Sequence, residues 1–275
     1  MALIVVAVLT LIVSTVLVVA AIIVEALNVG EYANQAEFRA AVEHAPLVIV
    51  ATMIGLALII PMAWLGTLIV GQPWRFLHSV FGKFRWRLLL VAGIATAIPL
   101  GGSLALSIAA GELGELRVEP YSWWLLIVLL LVTPFQSAGE EYLVRGMLNR
   151  AVGSWLPGPR SGLIVGALVS SLVFMFLHVA TDPWLNLFYF VMGLALCYLT
   201  WRTGGIEAAI GIHAVNNLFG MVFLPFQDLS ELFDREAGVG DASVLIQLGL
   251  VGVAVLAVSL YWRGKPREAR VPLTR

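Results

Sequence analysis

Residues 2–24 read ALIVVAVLTLIVSTVLVVAAIIV, a run without a single charged side chain. An α-helix needs about 20 mostly apolar residues to cross a bilayer. The run does not alternate apolar with polar, so it does not read as a half-buried strand. It lacks a basic start and exceeds the ~7–15-residue apolar core of a signal peptide, so it reads as a retained helix. Seven more stretches of the same kind follow at about 46–70, 88–110, 122–148, 161–180, 185–201, 205–225 and 243–262.

Composition says the same. Of 275 residues, 60% are apolar and 12% charged, and mean hydropathy is +0.96. Soluble domains carry roughly 45–50% apolar and about 25% charged residues. This chain cannot cover a soluble globule with polar surface, and its net charge of -1 gives no basic footprint for nucleic acid. A soluble enzyme, a disordered chain and a nucleic-acid binder are thereby excluded. The expected fold is an all-α integral membrane protein, a bundle of about eight transmembrane helices in one polytopic domain over 1–275. The single cysteine, Cys197, excludes an intrachain disulfide and reads as a small core hydrophobe.

Basic residues mark cytoplasmic loops. With the N-terminus inside, only Arg39, Arg117 and Arg235 of the 16 Lys and Arg fall outside, and 13 fall inside. The outside loops are acidic, with Glu25, Glu31, Glu37, Glu43, Glu112, Glu115 and Glu119, then Asp228, Glu231, Asp234, Glu236 and Asp241. Both termini are therefore expected in the cytoplasm, with the chain in the plasma membrane. Trp123, Trp124, Trp184 and Trp262 fall at span ends, where indoles favour the interface, and the tail from Arg263 reads as a basic surface anchor.

Burying an ionisable group in a span costs about 2.5–3.5 kcal/mol on insertion scales, so each one inside needs a reason. They are Glu140, Glu141 and Arg145 in the fourth span, His178 ending the fifth, and Glu207 and His213 in the seventh, where Asn216 and Asn217 follow. His44 and His78 lie in or beside loops and are expected to be solvated. Glu141 and Arg145, four apart, share a helix face and can neutralise each other in a bidentate contact. Glu140 points about 100° away and is left without a local partner. Phe174 and His178, and likewise His213 and Asn217, repeat the four-residue spacing.

One unpaired carboxylate, two imidazoles and a carboxamide on three helices permit hydrolysis. A carboxylate in low dielectric suits a general base near neutral pH. Glu140 can take a proton from water that His178 orients, while His213 and Asn217 donate to an oxyanion. No Gly-x-Ser-x-Gly elbow is present, so no covalent serine is suggested. Zinc held by Glu140, His178 and His213 is the rival mechanism. No helical His-Glu-x-x-His pattern supports it, so the spacing leans to water activation without metal.

The ordered set Glu140-Glu141…Arg145, Phe174…His178 and His213…Asn217, within a motif core of about 122–225, resembles the CAAX prenyl protease type II family. This is the CPBP, or Abi, group of intramembrane proteases, often labelled metalloproteases. The resemblance implies an intramembrane endopeptidase with Glu140 as base, His178 activating water, and His213 with Asn217 as the oxyanion hole. Glu141, Arg145 and Phe174 would support the site. It implies a membrane-associated peptide or protein substrate, lipidated in some members. The alternatives are a non-catalytic scaffold or bacteriocin-immunity protein, and a proton-coupled transporter.

Straight spans would put Glu140 and His178 at different depths. Treated as a hairpin about 159, they align. The fourth helix is therefore expected to run past the lipid into the cytoplasm, kinked at Pro134, with the 181–184 link sunk in protein and the site open to the cytoplasmic side.

Overall fold

The computed structural model describes residues 1–29, 34, 35, 37, 38, 45–229 and 235–264. Readings that fell on His44, Glu31, Arg39, Glu43, Glu231, Asp234 and the tail from Lys265 lie outside these residues. The chain is all-helical and has no strand among the described residues. Among the described residues eight helices are long and apolar enough to span a membrane, which makes this a multi-pass membrane protein.

The first span is α1 (Ala2–Val29). The second is α2 (Pro46–Ala57) with α3 (Ile59–Ile69), and a short α4 (Arg75–His78) follows. The third is α5 (Trp86–Ala110). The fourth runs without a break from α6 (Ser122–Glu141) through a π-helical segment, Tyr142–Leu148, into α7 (Asn149–Ser154). The rest are α8 (Pro159–Leu177), α9 (Pro183–Thr203), α10 (Glu207–Met221) and α11 (Val244–Arg263).

Three larger apolar clusters and a small one between α1 and α2 at Ala45 and Val48 hold the described residues of the bundle. One joins α5, α9, α10 and α11 through Ala92, Met192, Leu196, Ile212 and Val258. A second joins α1, α3, α4 and the π segment through Val6, Ile59, Leu77 and Tyr142. A third joins α2 to α6 through Ile49, Met53, Leu125 and Leu129. Small residues set the closest approaches, as expected where helices pack in lipid. A Cβ on Gly139 would overlap the Leu56 carbonyl oxygen, and one on Gly211 would crowd the carbonyl of Leu89 and Cβ of Ala92. Gly139 and Gly211 therefore press α6 against α2 and α10 against α5, close to the residues singled out above. Outward faces stay apolar, with Leu11 and Val16 on α1, Ile94 and Ile98 on α5, and Ile246 and Leu256 on α11 all exposed. Lipid is the solvent such faces need.

The fourth span is 33 residues long. At ~1.5 Å per residue it extends about 50 Å, well beyond a ~30 Å hydrocarbon core. Pro134 lies inside it without ending it. Four expectations are corrected. The fifth span stops at Leu177 rather than 180, and His178 caps it. In the 181–184 link Asp182 is buried, but Thr181 and Pro183 are exposed. His78 is buried rather than solvated, because its ring packs among Trp74, Phe84 and Tyr142. Trp262 is buried under Arg85 instead of facing the interface.

Candidate active site

Glu140 and Glu141 end α6, where Gly139 lets the helix approach α2. Glu141 is fully buried, and its Oε1 is shared. Arg145 Nη1 donates to it at 2.9 Å, and His213 Nδ1 lies 2.8 Å away. The expected bidentate Glu141–Arg145 pair is a single contact on the oxygen that His213 also reaches, with Glu141 Oε2 and Arg145 Nε left without partners. Arg145 spends Nη2 on the Gly193 carbonyl at 3.2 Å, which ties the fourth span to α9.

A carboxylate only accepts hydrogen bonds, so His213 Nδ1 carries the proton. In the neutral ring Nε2 is then bare, and it faces Glu140 Oε2 at 3.7 Å. Donation from Nε2 to an oxyanion requires the doubly protonated ring. Glu141 therefore does more than brace the helix: it fixes which nitrogen of His213 looks at Glu140.

Glu140 has a local partner that the charge survey passed over. Gln136, one turn earlier, donates Nε2 to Glu140 Oε1 at 2.5 Å. Gln136 Oε1 in turn accepts from Ser137 Oγ and from Asn217 Nδ2 at 3.4 Å, and Asn217 also reaches Ser137 Oγ at 3.2 Å. Asn217 and Glu140 are thereby joined through one amide. The four-residue spacing of Gln136 from Glu140 was the available signal. Neighbouring Asn216 donates to Asn217 Oδ1 at 3.4 Å and accepts from Gln247 of α11.

His178 stands at the end of α8. Its Nδ1 lies 2.8 Å from the Phe174 carbonyl oxygen, so Nδ1 carries the proton and Nε2 is left to accept. Its ring stacks on Tyr189 at 3.8 Å between centroids. Phe174 packs edge-on to both His178 (4.6 Å) and His213 (5.7 Å), with the Arg145 guanidinium over its ring. Val179, next in the chain, has φ +52, a left-handed conformation costly for a β-branched residue. Contacts from the acidic loop that carries Arg235 hold that turn. Arg235 Nη1 donates to the His178 carbonyl at 2.6 Å, and the Thr181 and Asp182 amides donate to the Arg235 carbonyl. Asp182 accepts from the backbone of Leu185, Gly238 and Trp184, and these bonds hold its carboxyl below the usual carboxylate range. The sequence put the opening on the basic-loop side, yet Arg235, which touches His178, belongs to an acidic loop.

The structure thus gathers Glu140, Glu141, Arg145, Phe174, His213 and Asn217 into one linked cluster. His178 joins through Phe174 rather than by a bond to Glu140. Glu140 keeps 15% of its side chain exposed, and its Oε2 has no hydrogen-bond partner. Among the described residues no three of His, Cys, Asp and Glu converge as ligands for one metal ion. Glu207, the remaining intramembrane carboxylate, is paired elsewhere with Arg85. Cys197 is buried beside the hydroxyls of Ser170 and Ser171, as a core thiol would be.

Comparison with known proteins gives two matches. Residues 120–219, which contain all three motifs, match the family described as type II CAAX prenyl endopeptidase Rce1-like. Over 184 residues the chain is 30% identical to the uncharacterized protein YyaK of Bacillus subtilis (strain 168). That alignment covers 60% of this chain and 57% of YyaK. No solved structure matches.

Proposed function

From a core over residues 120–219 that is Rce1-like in the type II CAAX prenyl endopeptidase sense, we propose that this protein is an intramembrane endopeptidase. The observation that carries the reading is the Glu140 Oε2 without a hydrogen-bond partner, facing His213 Nε2 at 3.7 Å, with Glu140 linked through Gln136 to Asn217. A stability device would close its polar atoms; this one leaves a buried acceptor unmatched on a side chain that is otherwise partly exposed.

Glu140 removes a proton from water, and His178 Nε2 holds that water by its second hydrogen. The hydroxide adds to the scissile carbonyl carbon. The resulting oxyanion is met by the Asn217 amide and by His213 Nε2, to which Glu140 passes the proton it took from water. Collapse breaks the C–N bond, and the departing amine takes that same proton, returned through Glu140. Glu141 and Arg145 keep His213 turned toward the reacting atoms. Every step uses side chains of this chain. Zinc on Glu140, His178 and His213 is the competing arrangement, and activity lost to a chelator and restored by zinc would replace this scheme.

The substrate is a membrane-associated peptide or protein whose cleavage site reaches these groups from the bilayer. The chain resides in the plasma membrane with both termini in the cytoplasm. The test is cleavage of an internally quenched farnesylated peptide ending in a CAAX sequence, beside its unprenylated counterpart, by the full chain in proteoliposomes. Wild type cleaves at least one of them, while Glu140→Gln and His178→Ala do not. Equal cleavage by all three proteins would overturn the proposal. A scaffold or immunity role would instead survive Glu140→Gln, and a carrier would show Glu140-dependent flux without cleavage.

A further inference from the structure

Away from Glu140, the end of the bundle that carries the basic loops contains two adjoining cavities. One, of about 580 Å³, lies between Leu77–Val80, the hairpin of α7 and α8, and the turn from Thr200 to Ile206. The other, of about 470 Å³, lies between the start of α1, the end of α3, α4 and Met147. They share Leu77, Arg150 and Ser154, so Arg150 stands where they meet. Each has the size of a small-molecule site.

Charge is unevenly settled there. Two guanidinium groups line the larger cavity. That of Arg145 is answered by the Glu141 carboxylate at 2.9 Å. That of Arg150 donates to the backbone carbonyls of Phe76 and Leu77, which are neutral. Among the described residues no carboxylate forms an ion pair with Arg150. His78, the other titratable group on this wall, is pushed below the ordinary imidazole range, chiefly by burial, and so adds little positive charge. Arg150 is therefore a cation whose countercharge the chain does not provide. Around it the walls are apolar, with Leu156, Leu163 and Trp201 in the larger cavity and Leu3, Val70 and Phe76 in the smaller.

We propose that Arg150 and the two cavities beside it bind the phosphate of an anionic phospholipid, one acyl chain entering each chamber. A single anion flanked by two apolar arms fits one cation flanked by two apolar-walled spaces. Asn149 and the Ser154 hydroxyl supply neutral polar contacts beside the phosphate. The bilayer supplies such lipids directly, and basic pockets between helices at a membrane surface are where anionic head groups are held. The site meets the Glu140 cluster at Arg145, whose charge Glu141 already answers, and it stands whether or not the protein cleaves peptides.

The test uses the full chain in neutral detergent, with native mass spectrometry and thermal unfolding as readouts. Dioleoyl phosphatidylglycerol is compared with dioleoyl phosphatidylcholine and with inorganic phosphate. Wild type is expected to retain one phosphatidylglycerol in preference to phosphatidylcholine and to unfold at a higher temperature with it. Arg150→Gln loses that preference, with binding weaker by roughly fivefold or more, the value of one basic residue at a lipid surface. Arg150→Lys keeps part of it. Should Arg150→Gln fail to fold, Ser154→Trp tests the same point, since it fills the space between the chambers without touching the charge. Arg160→Gln, at the same end but lining neither cavity, retains wild-type preference. Equal retention of both lipids, or phosphatidylglycerol preference surviving Ser154→Trp, overturns the proposal. So does full stabilisation by inorganic phosphate with none added by lipid, which would make this a site for the free anion.

Discussion

Two buried carboxylate–guanidinium clusters lie in this bundle, and they are built to opposite ends. In the first, Arg85 gives its backbone N–H and Nε to Glu207 Oε1, Nη2 to Oε2 at 2.6 Å, and Nη1 to the Thr203 carbonyl. The rings of Phe81 and Trp262 close over the guanidinium. Neither Arg85 nor Glu207 retains a buried polar atom without a partner. In the second, Glu140 Oε2, Glu141 Oε2 and Arg145 Nε all lack hydrogen-bond partners. A saturated cluster fixes where α5 and α10 meet. An unsaturated one keeps capacity for a ligand or a reacting group, at the cost of stability. Within a membrane, where every unmet polar atom is expensive, that contrast separates scaffold from site better than burial alone.

The comparison can be broken in graded steps. The largest effect is expected at Glu140: Glu140→Gln should slow peptide cleavage by about 10²–10⁴-fold, the usual range for a lost general base. Its thermal unfolding should stay near wild type, since Glu140 already leaves one oxygen unmatched. Glu207→Ala should do the reverse. Removing one partner of a buried pair costs about 3–5 kcal/mol, read as a lower unfolding temperature, with residual cleavage tracking the folded fraction. If Glu207→Ala unfolds with wild type, the distinction between the clusters fails. Asn217→Ala should lower kcat by about 10²–10³-fold with little change in KM, as for a lost oxyanion donor. A matching rise in KM would instead mark Asn217 as a substrate-binding group. Gly139→Ala forces a methyl onto the Leu56 carbonyl and should cost about 1–3 kcal/mol by overpacking, measurable by denaturation in detergent. The smallest effect concerns Asp182. Its carboxyl is held low by backbone donors, so its contribution is present at neutral pH and lost as pH falls through that lowered value. Amide exchange at Gly238 should therefore speed up in strongly acidic buffer, and Asp182→Asn should flatten that dependence.

The eight spans were legible because lipid demands length and apolarity together, and both are written in plain runs of sequence. The motif cluster was legible for a related reason: charge is so costly in a span that Glu140, Glu141, Arg145, His178 and His213 stand out. Gln136 escaped the same scan because a neutral amide carries little of that cost. The shared Glu141 oxygen was hidden because the competitor, His213, is 72 residues away and only packing brings it near. Arg235 and Tyr189 at His178 escaped likewise, since neither lies in a recognisable spacing with it. His78 misled because a histidine beside a loop in sequence need not lie at a surface once α4 folds under Trp74 and Tyr142.

The π-helical segment Tyr142–Leu148 has an engineering consequence. A π turn within an α-helix accommodates one residue beyond the α-helical count. Forcing it into regular α geometry at the same residue count would turn everything after it by about 100° relative to Glu140, carrying Arg150 out from between its two cavities. Deleting a single residue there, Leu143 for instance, would instead remove the extra residue and leave the helix after it near its present register. A redesign that regularises this stretch therefore has to shorten it by one residue to keep Arg150 in place.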